Sequence, residues 1–430
     1  MSQHKCKGCA EYRDLSRRQF VGLSAGMVVA AVTPSWVPRV AYAQSEDSER
    51  DIMVSVFLRG GLDSLSMCVP FNEQEYYNLR PTIAVPQPDS GQPTAAIDLD
   101  GDFGFATTMQ PLMDAFNDSE LLVVHACGLP ESNRSHFDAM HFMEVGEADP
   151  SPSNFTGWLG RHLQSTAPTL RDGVLRAVGI GFGLQRTLVG APKALPISDL
   201  ASFGFTGRGA TKKDRKAVLE EIYAYAEEPL KTSASDTFRT VETLKSIGFS
   251  SYRPKGGARY PDSEFGYAMR STAALIKGDV GVEAVAVDIG GWDTHDFQGN
   301  LDGSMMYLLQ DLSDSLGAFY KDLKASNVRN VVTVAMSEFG RNVFENGSRG
   351  TDHGYGGLML AMGSSINGGQ VLTEWPGLDN SQLFEAQDLQ ITIDYRDILT
   401  EILTKRMGNP DYRTIFNDKS YAPKTLGAVI

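Results

Sequence analysis

Apolar runs of strand length recur along the chain and alternate with stretches of helical period. Residues 52–58, 121–127, 175–180, 282–289, 331–335 and 358–362 are nearly continuous apolar runs, the pattern of strands covered on both faces. Residues 137–144, 213–225, 236–247, 265–277 and 304–323 carry apolar positions at three-to-four spacing and predict helices. In the last of these, Met305, Leu308, Leu309, Leu312, Leu316, Phe319 and Leu323 share one face. Residues 109–116 also read as helix. So does the segment after Asp394-Tyr-Arg-Asp397, which Gly408-Asn-Pro410 ends. Strands alternating with helices predict an α/β fold, a three-layer sandwich with a mainly parallel central sheet. Residues 81–102, rich in Pro, Gly and Asp, read as irregular. Residues 186–260 form a peripheral helical region, a cap over any site on the sheet.

The first 43 residues fall outside that pattern. Ser16-Arg17-Arg18-Gln19-Phe20 is a twin-arginine signature, followed by an apolar run over 20–32 and by Ala41-Tyr42-Ala43, a small-x-small cleavage site. This is an export signal. About 13 apolar residues fall short of the roughly 20 that span a bilayer, so no stable membrane anchor remains after cleavage. The expectation is a single domain over 51–430, delivered by the twin-arginine export machinery to the periplasm or beyond. Residues 1–43 hold six basic and two acidic residues, so their loss takes the net charge from −14 to −18. A surface this acidic repels nucleic acid. Cys6 and Cys9 leave with the leader. Cys68 and Cys127 remain, either bridged in an oxidising compartment or as two buried thiols.

The strand exits carry the chemistry. Residues 282–289 open into Gly290-Gly-Trp-Asp293-Thr-His295. Residues 331–335 open into Ser337-Glu338-Phe339-Gly-Arg341, followed by Gly350-Thr-Asp352-His353-Gly. In open α/β sheets ligands gather beyond the carboxyl ends of strands. Asp293, His295, Glu338, Asp352 and His353 are therefore candidates for one shared site, and Asp63 joins them from the exit of the first strand. Carboxylates and imidazoles together hold a divalent ion such as Zn, Mn, Mg or Ca. Such an ion polarises an ester oxygen and activates a hydroxyl or water. In Pro130-Glu-Ser132-Asn-Arg134-Ser135-His136 a polar cluster leads into a helix, whose first-turn amides suit an anion. Ser135 or Ser132 is the candidate nucleophile, and Arg134 the candidate partner of an oxyanion. Each residue also has a plain structural reading: Asp63 and Ser135 as helix caps, Glu338 paired with Arg341 or Arg349, Asp352 in a turn. His125, inside an apolar run, reads as a satisfied core histidine.

Several stretches together resemble the exported bacterial proteins grouped as domain of unknown function 1501. They are the twin-arginine leader, Arg59-Gly-Gly-Leu-Asp63, Arg134-Ser-His-Phe-Asp-Ala139, Gly290-Gly-Trp-Asp-Thr-His295, Ser337-Glu-Phe-Gly-Arg341, Gly350-Thr-Asp-His-Gly354 and Asp394-Tyr-Arg396. The likeness covers nearly the whole chain. It implies an alkaline-phosphatase-like fold, shared with sulfatases, nucleotide pyrophosphatases and cofactor-independent phosphoglycerate mutases, and supplies no substrate. Laid over the superfamily pattern, Asp63 resembles the metal aspartate of the first strand, and Ser135 the nucleophile. Asp293 and His295 resemble an aspartate–histidine metal pair, and His353 the final histidine. Two departures stand out. Asp293 and His295 are two residues apart where the superfamily pattern has four. Phe339 stands where a metal-binding histidine belongs, and a phenyl ring cannot ligate. A second metal site then has at most Asp63, Glu338 and a serine, with Asp352 as a substitute. The lack of a Cys-x-Pro-x-Arg motif argues against a formylglycine sulfatase.

The expected function is an exported metal-dependent hydrolase acting on a phosphate, sulfate or related ester of a small molecule or glycan. The alternative is a non-catalytic periplasmic binding or assembly protein that keeps the fold.

Overall fold

Strand β1, Ile52–Arg59, lies in the middle of the sheet because both its faces are apolar. Val54, Val56 and Leu58 enter one core cluster, and Met53 and Phe57 enter another on the opposite side, the alternation that a period of two imposes. The computed structural model describes residues 50–131, 133–150, 154–169, 173–204, 212–300 and 302–430. The expected export signal over 1–43, with Cys6 and Cys9, and the alternative nucleophile Ser132 lie outside the described residues.

The further strands of the main sheet are β2 (Leu121–Gly128), β3 (Ala177–Ile180), β4 (Ala194–Ile197), β5 (Ala284–Gly290), β6 (Val331–Ser337), β7 (Gly357–Met362), β8 (Gln370–Leu372) and β9 (Ile393–Asp394). They form one nine-stranded sheet in the order β8-β2-β7-β6-β1-β5-β3-β4, with β9 beside β2. Only β7 runs antiparallel to its neighbours; the other pairs are parallel. Leu58 at the end of β1 pairs with Ile289 of β5 and Ser337 of β6. That register delivers three loops to one edge of the sheet.

The longer helices are α1 (His136–Val145), α2 (Trp158–Ser165), α3 (Lys212–Ala224), α4 (Leu230–Ser246), α5 (Glu264–Lys277), α6 (Ser304–Ala325) and α7 (Tyr395–Lys405). Residues of α1, α2 and α7 build the core on one side of the sheet, and residues of α5 and α6 the core on the other. This is the three-layer α/β arrangement read from the sequence.

Four local expectations need correction or completion. The helix expected over 109–116 is a 3₁₀ segment, Thr107–Leu112, followed by a short α-helix, Met113–Asn117; Pro111 lacks the amide that a continuous helix needs. The region 186–260 supplies the edge strand β4 and the pair α3–α4, with Val241 and Leu244 of α4 buried. Cys68 and Cys127 are free thiols, one in each core cluster on opposite sides of the sheet, and do not bridge. His125 is the buried core histidine expected: Nδ1 accepts from Ala126 N–H at 2.8 Å and Nε2 donates to Cys68 O at 2.9 Å.

Beneath the loops lies a buried ion pair. Asp63 follows β1 and is fully enclosed. Arg80 reaches it with Nη1 at 2.6 Å and Nη2 at 3.0 Å, and Ser66 Oγ and Gln298 Nε2 donate at 2.6 and 2.5 Å. Burial opposes the Asp63 charge, but Arg80 and these donors outweigh it and hold the carboxyl below its usual range. Arg80 also donates to Val343 O and Asn342 O in the loop after β6. Gln298 Oε1 accepts from Thr294 Oγ1 at 3.1 Å and Thr351 Oγ1 at 2.8 Å. One carboxylate thus anchors the loops of β1, β5 and β6.

Removing one partner leaves an unpaired charge in a dry place, at a cost of about 3–5 kcal/mol. Asp63→Asn should lose stability on that scale in chemical denaturation; a change below about 1 kcal/mol would contradict the anchor. A second expectation concerns pH. Burial lowers His125 to about 4, and burial with Arg176 and Arg50 lowers His162 to about 3, from 6.5. The unfolded chain takes up these protons first, so stability is full above about pH 6.5 and falls as pH drops toward the folded values. Unfolding midpoints measured from pH 7.5 to 5 should decline, and His125→Gln should flatten the slope.

Candidate metal centre

Close loop contacts need glycine at two points. A Cβ on Gly60, at φ 125°, would lie 2.6 Å from Asp293 N, and one on Gly350 would lie 2.3 Å from the His295 carbonyl carbon. With hydrogen at both places the three loops close on one another, and Asp293 and His295 converge although only two residues apart.

Three imidazoles face a shared point beside Asp293. His136 Nε2 lies 3.4 Å, His295 Nε2 2.9 Å and His353 Nε2 3.1 Å from Asp293 Oδ1. Ligand atoms of His136, Asp293 and His353 all lie within 4.8 Å of one another. His295 closes the group from the solvent side, with Nε2 3.1 Å from His353 Nε2. Each ring is turned by its other nitrogen. His136 Nδ1–H donates to Glu338 Oε1 at 2.7 Å, His295 Nδ1–H to Asp352 Oδ1 at 2.8 Å, and His353 Nδ1–H to Arg134 O at 3.0 Å. These three partners only accept, so each Nδ1 carries a proton, and in the neutral ring each Nε2 is free to offer its lone pair to a cation. The His136 Nε2 atom is shielded from solvent and has no hydrogen-bond partner.

Arg341 fixes the carboxylate at the centre. It is buried and donates to Gly61 O, Thr351 O, Gly60 O and Trp292 O as well as to Asp293 Oδ1, the last at 2.7 Å. Partial burial pushes the Asp293 carboxyl up, but the hydrogen bond and charge of Arg341, with His353 and His295, prevail and set it at about 2. The hydrogen bond that His136 donates to Glu338 raises His136 above its ordinary value. Burial lowers His353. The hydrogen bond from His295 is the main cause that lowers Asp352.

The donor set fits a cation. Clustered ring nitrogens with lone pairs repel one another unless a proton or metal lies among them. Asp293, Glu338 and Asp352 carry three formal negative charges and Arg341 one positive charge, a balance of −2 that one divalent ion cancels. Ligating histidines commonly donate their second nitrogen to a carboxylate or carbonyl, as all three do here.

The structure distributes the expected site residues unevenly. Asp293, His295 and His353 meet as ligand candidates. Glu338 and Asp352 sit one step out and orient His136 and His295; Glu338 pairs with neither Arg341 nor Arg349 but accepts from Gly60 N–H at 2.8 Å and from His136. Asp63 is withdrawn into its pair with Arg80 and does not face the centre. Arg134 is clamped by Asp388 and by Glu385 at 2.8 Å; its carbonyl, not its guanidinium, serves the site. Ser135 occupies the N-cap position of α1 without a capping bond from its side chain. It is exposed and directly precedes His136. Phe339 is buried against the rings of His136 and His353, at centroid distances of 4.9 and 5.1 Å. Sequence reasoning passed over His136 as a ligand and Arg341 as the support of Asp293. The signal for His136 was its place in a polar helix start, directly after Arg134 and Ser135.

No curated protein matches the chain at a significant level. Solved structures with an overall likeness include Ps i-CgsB in complex with k-i-k-neocarrahexaose, 8% identical with a TM-score of 0.41 over 85% of this chain and 74% of that one. Another is the C-terminal periplasmic domain of EcEptC from Escherichia coli in complex with Zn, 10% identical with a TM-score of 0.34 over 74% of each chain. A third is alkaline phosphatase from the Antarctic bacterium TAB5, 10% identical with a TM-score of 0.33 over 84% of this chain and all of that one. Likeness at this level carries no residue role and no activity across. The match that does identify the chain is to a family model, that of the proteins of unknown function termed DUF1501, over residues 50–414, and the chain belongs to that family.

Proposed function

We propose that this chain is a single-metal hydrolase or transferase acting on a phosphate, sulfate or related ester, and that its twin-arginine leader sends it to the periplasm or beyond. The observation that carries the reading is the convergence of three oriented imidazoles on Asp293. Among the described residues no helix is long and apolar enough to cross a membrane. His136, His353, Asp293 and His295 hold the ion. A nitrogen-rich set favours Zn over Mg or Ca. When bound, a divalent ion there supplies Lewis-acid polarisation of an ester oxygen and lowers the pKa of a neighbouring hydroxyl or water.

The remaining work belongs to the chain. Glu338, Asp352 and the Arg134 carbonyl keep the three Nε2 atoms aimed. Arg341 holds Asp293 ionised at neutral pH. Ser135 supplies the attacking hydroxyl, beside the first-turn amides of α1, which lack intrahelical acceptors and suit a developing oxyanion. Those amides take the role expected of the Arg134 guanidinium. Phe339 fills the place of a further ligand with an apolar ring, which favours one ion over two. A protein that only binds would keep the ion and lose nothing when Ser135 is changed.

Protein purified without chelator should carry close to one divalent ion per chain. His136→Ala should abolish stoichiometric metal, and Glu338→Gln, which leaves every ligand in place, should weaken binding about 10–100-fold. Metal-free protein with unchanged folding would sink the reading. Ser135→Ala should keep the ion and lower turnover of an aryl phosphate or sulfate by about 10³-fold or more. Unchanged turnover would remove Ser135 from the chemistry.

A further inference from the structure

Two large exposed residues lie on the loops that carry His295 and Asp352. Phe297 follows His295 by two residues, and Arg349 precedes Asp352 by three. Their loops run side by side: Phe297 N–H donates to Ser348 O at 3.0 Å and Gln298 N–H to Arg349 O at 2.9 Å. Both backbones are left-handed, with φ of 45° at Phe297 and 60° at Arg349. Bulky residues seldom adopt that region. The Phe297 ring is 68% exposed and belongs to neither core cluster.

The pair is firmly placed. Asn346 Oδ1 accepts from Ser348 N–H at 2.9 Å and Gly350 N–H at 3.1 Å, while Nδ2 donates to His295 O at 2.8 Å and Asp352 Oδ1 at 3.1 Å. One asparagine thus ties the turn that carries Arg349 to the histidine–aspartate pair of the centre. Charge marks the same turn. Arg341 is spent on Asp293 and four carbonyls, Arg134 on Asp388 and Glu385, and Arg59 on Glu144 and Asp288. Arg349 is exposed and has no acid partner among the described residues. An exposed ring and an uncommitted guanidinium are thus carried on adjoining loops that also hold His295 and Asp352, both on costly backbones.

We propose that Phe297 and Arg349 receive a six-membered ring bearing a carboxylate, so that the ester cleaved at the centre is carried on an acidic ring, either an aryl carboxylate or a uronic acid. The ring stacks on Phe297, and the planar guanidinium takes the carboxylate through two parallel N–H···O bonds. A net charge of −14 over the chain disfavours a polyanion, whereas a single carboxylate matches a single free guanidinium. The inference rests on the metal reading and names the substrate for the same site.

Calorimetric binding to the metal-loaded chain separates the outcomes without requiring turnover. Phenylphosphonate and 4-phosphonobenzoate form the aryl pair; glucose 1-phosphate and glucuronic acid 1-phosphate form the sugar pair. The acidic member of one pair should bind at least about tenfold more tightly than its neutral partner, and that pair identifies the ring. Arg349→Gln should erase the difference and leave the neutral ligand within about twofold, while Phe297→Ala should weaken both members. No preference in either pair, or a preference that survives Arg349→Gln, would overturn the proposal. Metal content is measured on each variant. An Arg349-dependent preference in protein that holds no ion would overturn the metal reading and leave this one standing; an ion with no preference would do the reverse.

Discussion

The buried pair of Asp63 and Arg80 is the constraint on which the site depends. A carboxylate without solvent access must be paired and fully hydrogen-bonded, and this one is met by Arg80, Ser66 and Gln298. The partners are what matter for function. Arg80 grips the carbonyls of Asn342 and Val343, and Gln298 grips Thr294 and Thr351. Thr294 stands between Asp293 and His295, and Thr351 directly precedes Asp352. The ion pair below the loops therefore sets where the ligand atoms above them lie.

The next layer up converts that fixed backbone into a directed set of lone pairs. Three histidines from three parts of the chain each give Nδ1 to an acceptor and aim Nε2 at one carboxylate oxygen. Arg341 closes the arrangement by spending its guanidinium on four loop carbonyls and on Asp293. Its charge makes a site with three nearby carboxylates suit one divalent ion instead of two. Phe339, packed on two of the imidazoles, excludes a further ligand from the same side.

The fold was legible because its strands are apolar on both faces, a pattern that periodicity detects directly. The gathering of Asp293, His295 and His353 was legible because all three follow strand exits, which a parallel sheet brings to one edge. Roles set by distant partners were not. His136 is aimed by Glu338, 202 residues away, so its polar helix start alone does not mark it as a ligand. Asp63 looks like a ligand until Arg80, at the end of a short helix just before the irregular, proline-rich stretch, claims it. Arg134 looks free until Asp388 and Glu385 arrive from more than 250 residues downstream. In each case the decisive fact is a side-chain pair between remote segments, and neither spacing nor composition records such pairs.

The central claim is that the three Nε2 atoms and Asp293 surround one ion. X-ray absorption at the metal edge of the protein as purified tests it most directly. The account predicts a first shell dominated by imidazole nitrogens at about 2.0–2.1 Å if the ion is Zn, with the multiple-scattering signature of about three rings, reduced by one ring in His295→Ala. A first shell of oxygen alone, or one unchanged by loss of His295, would contradict it.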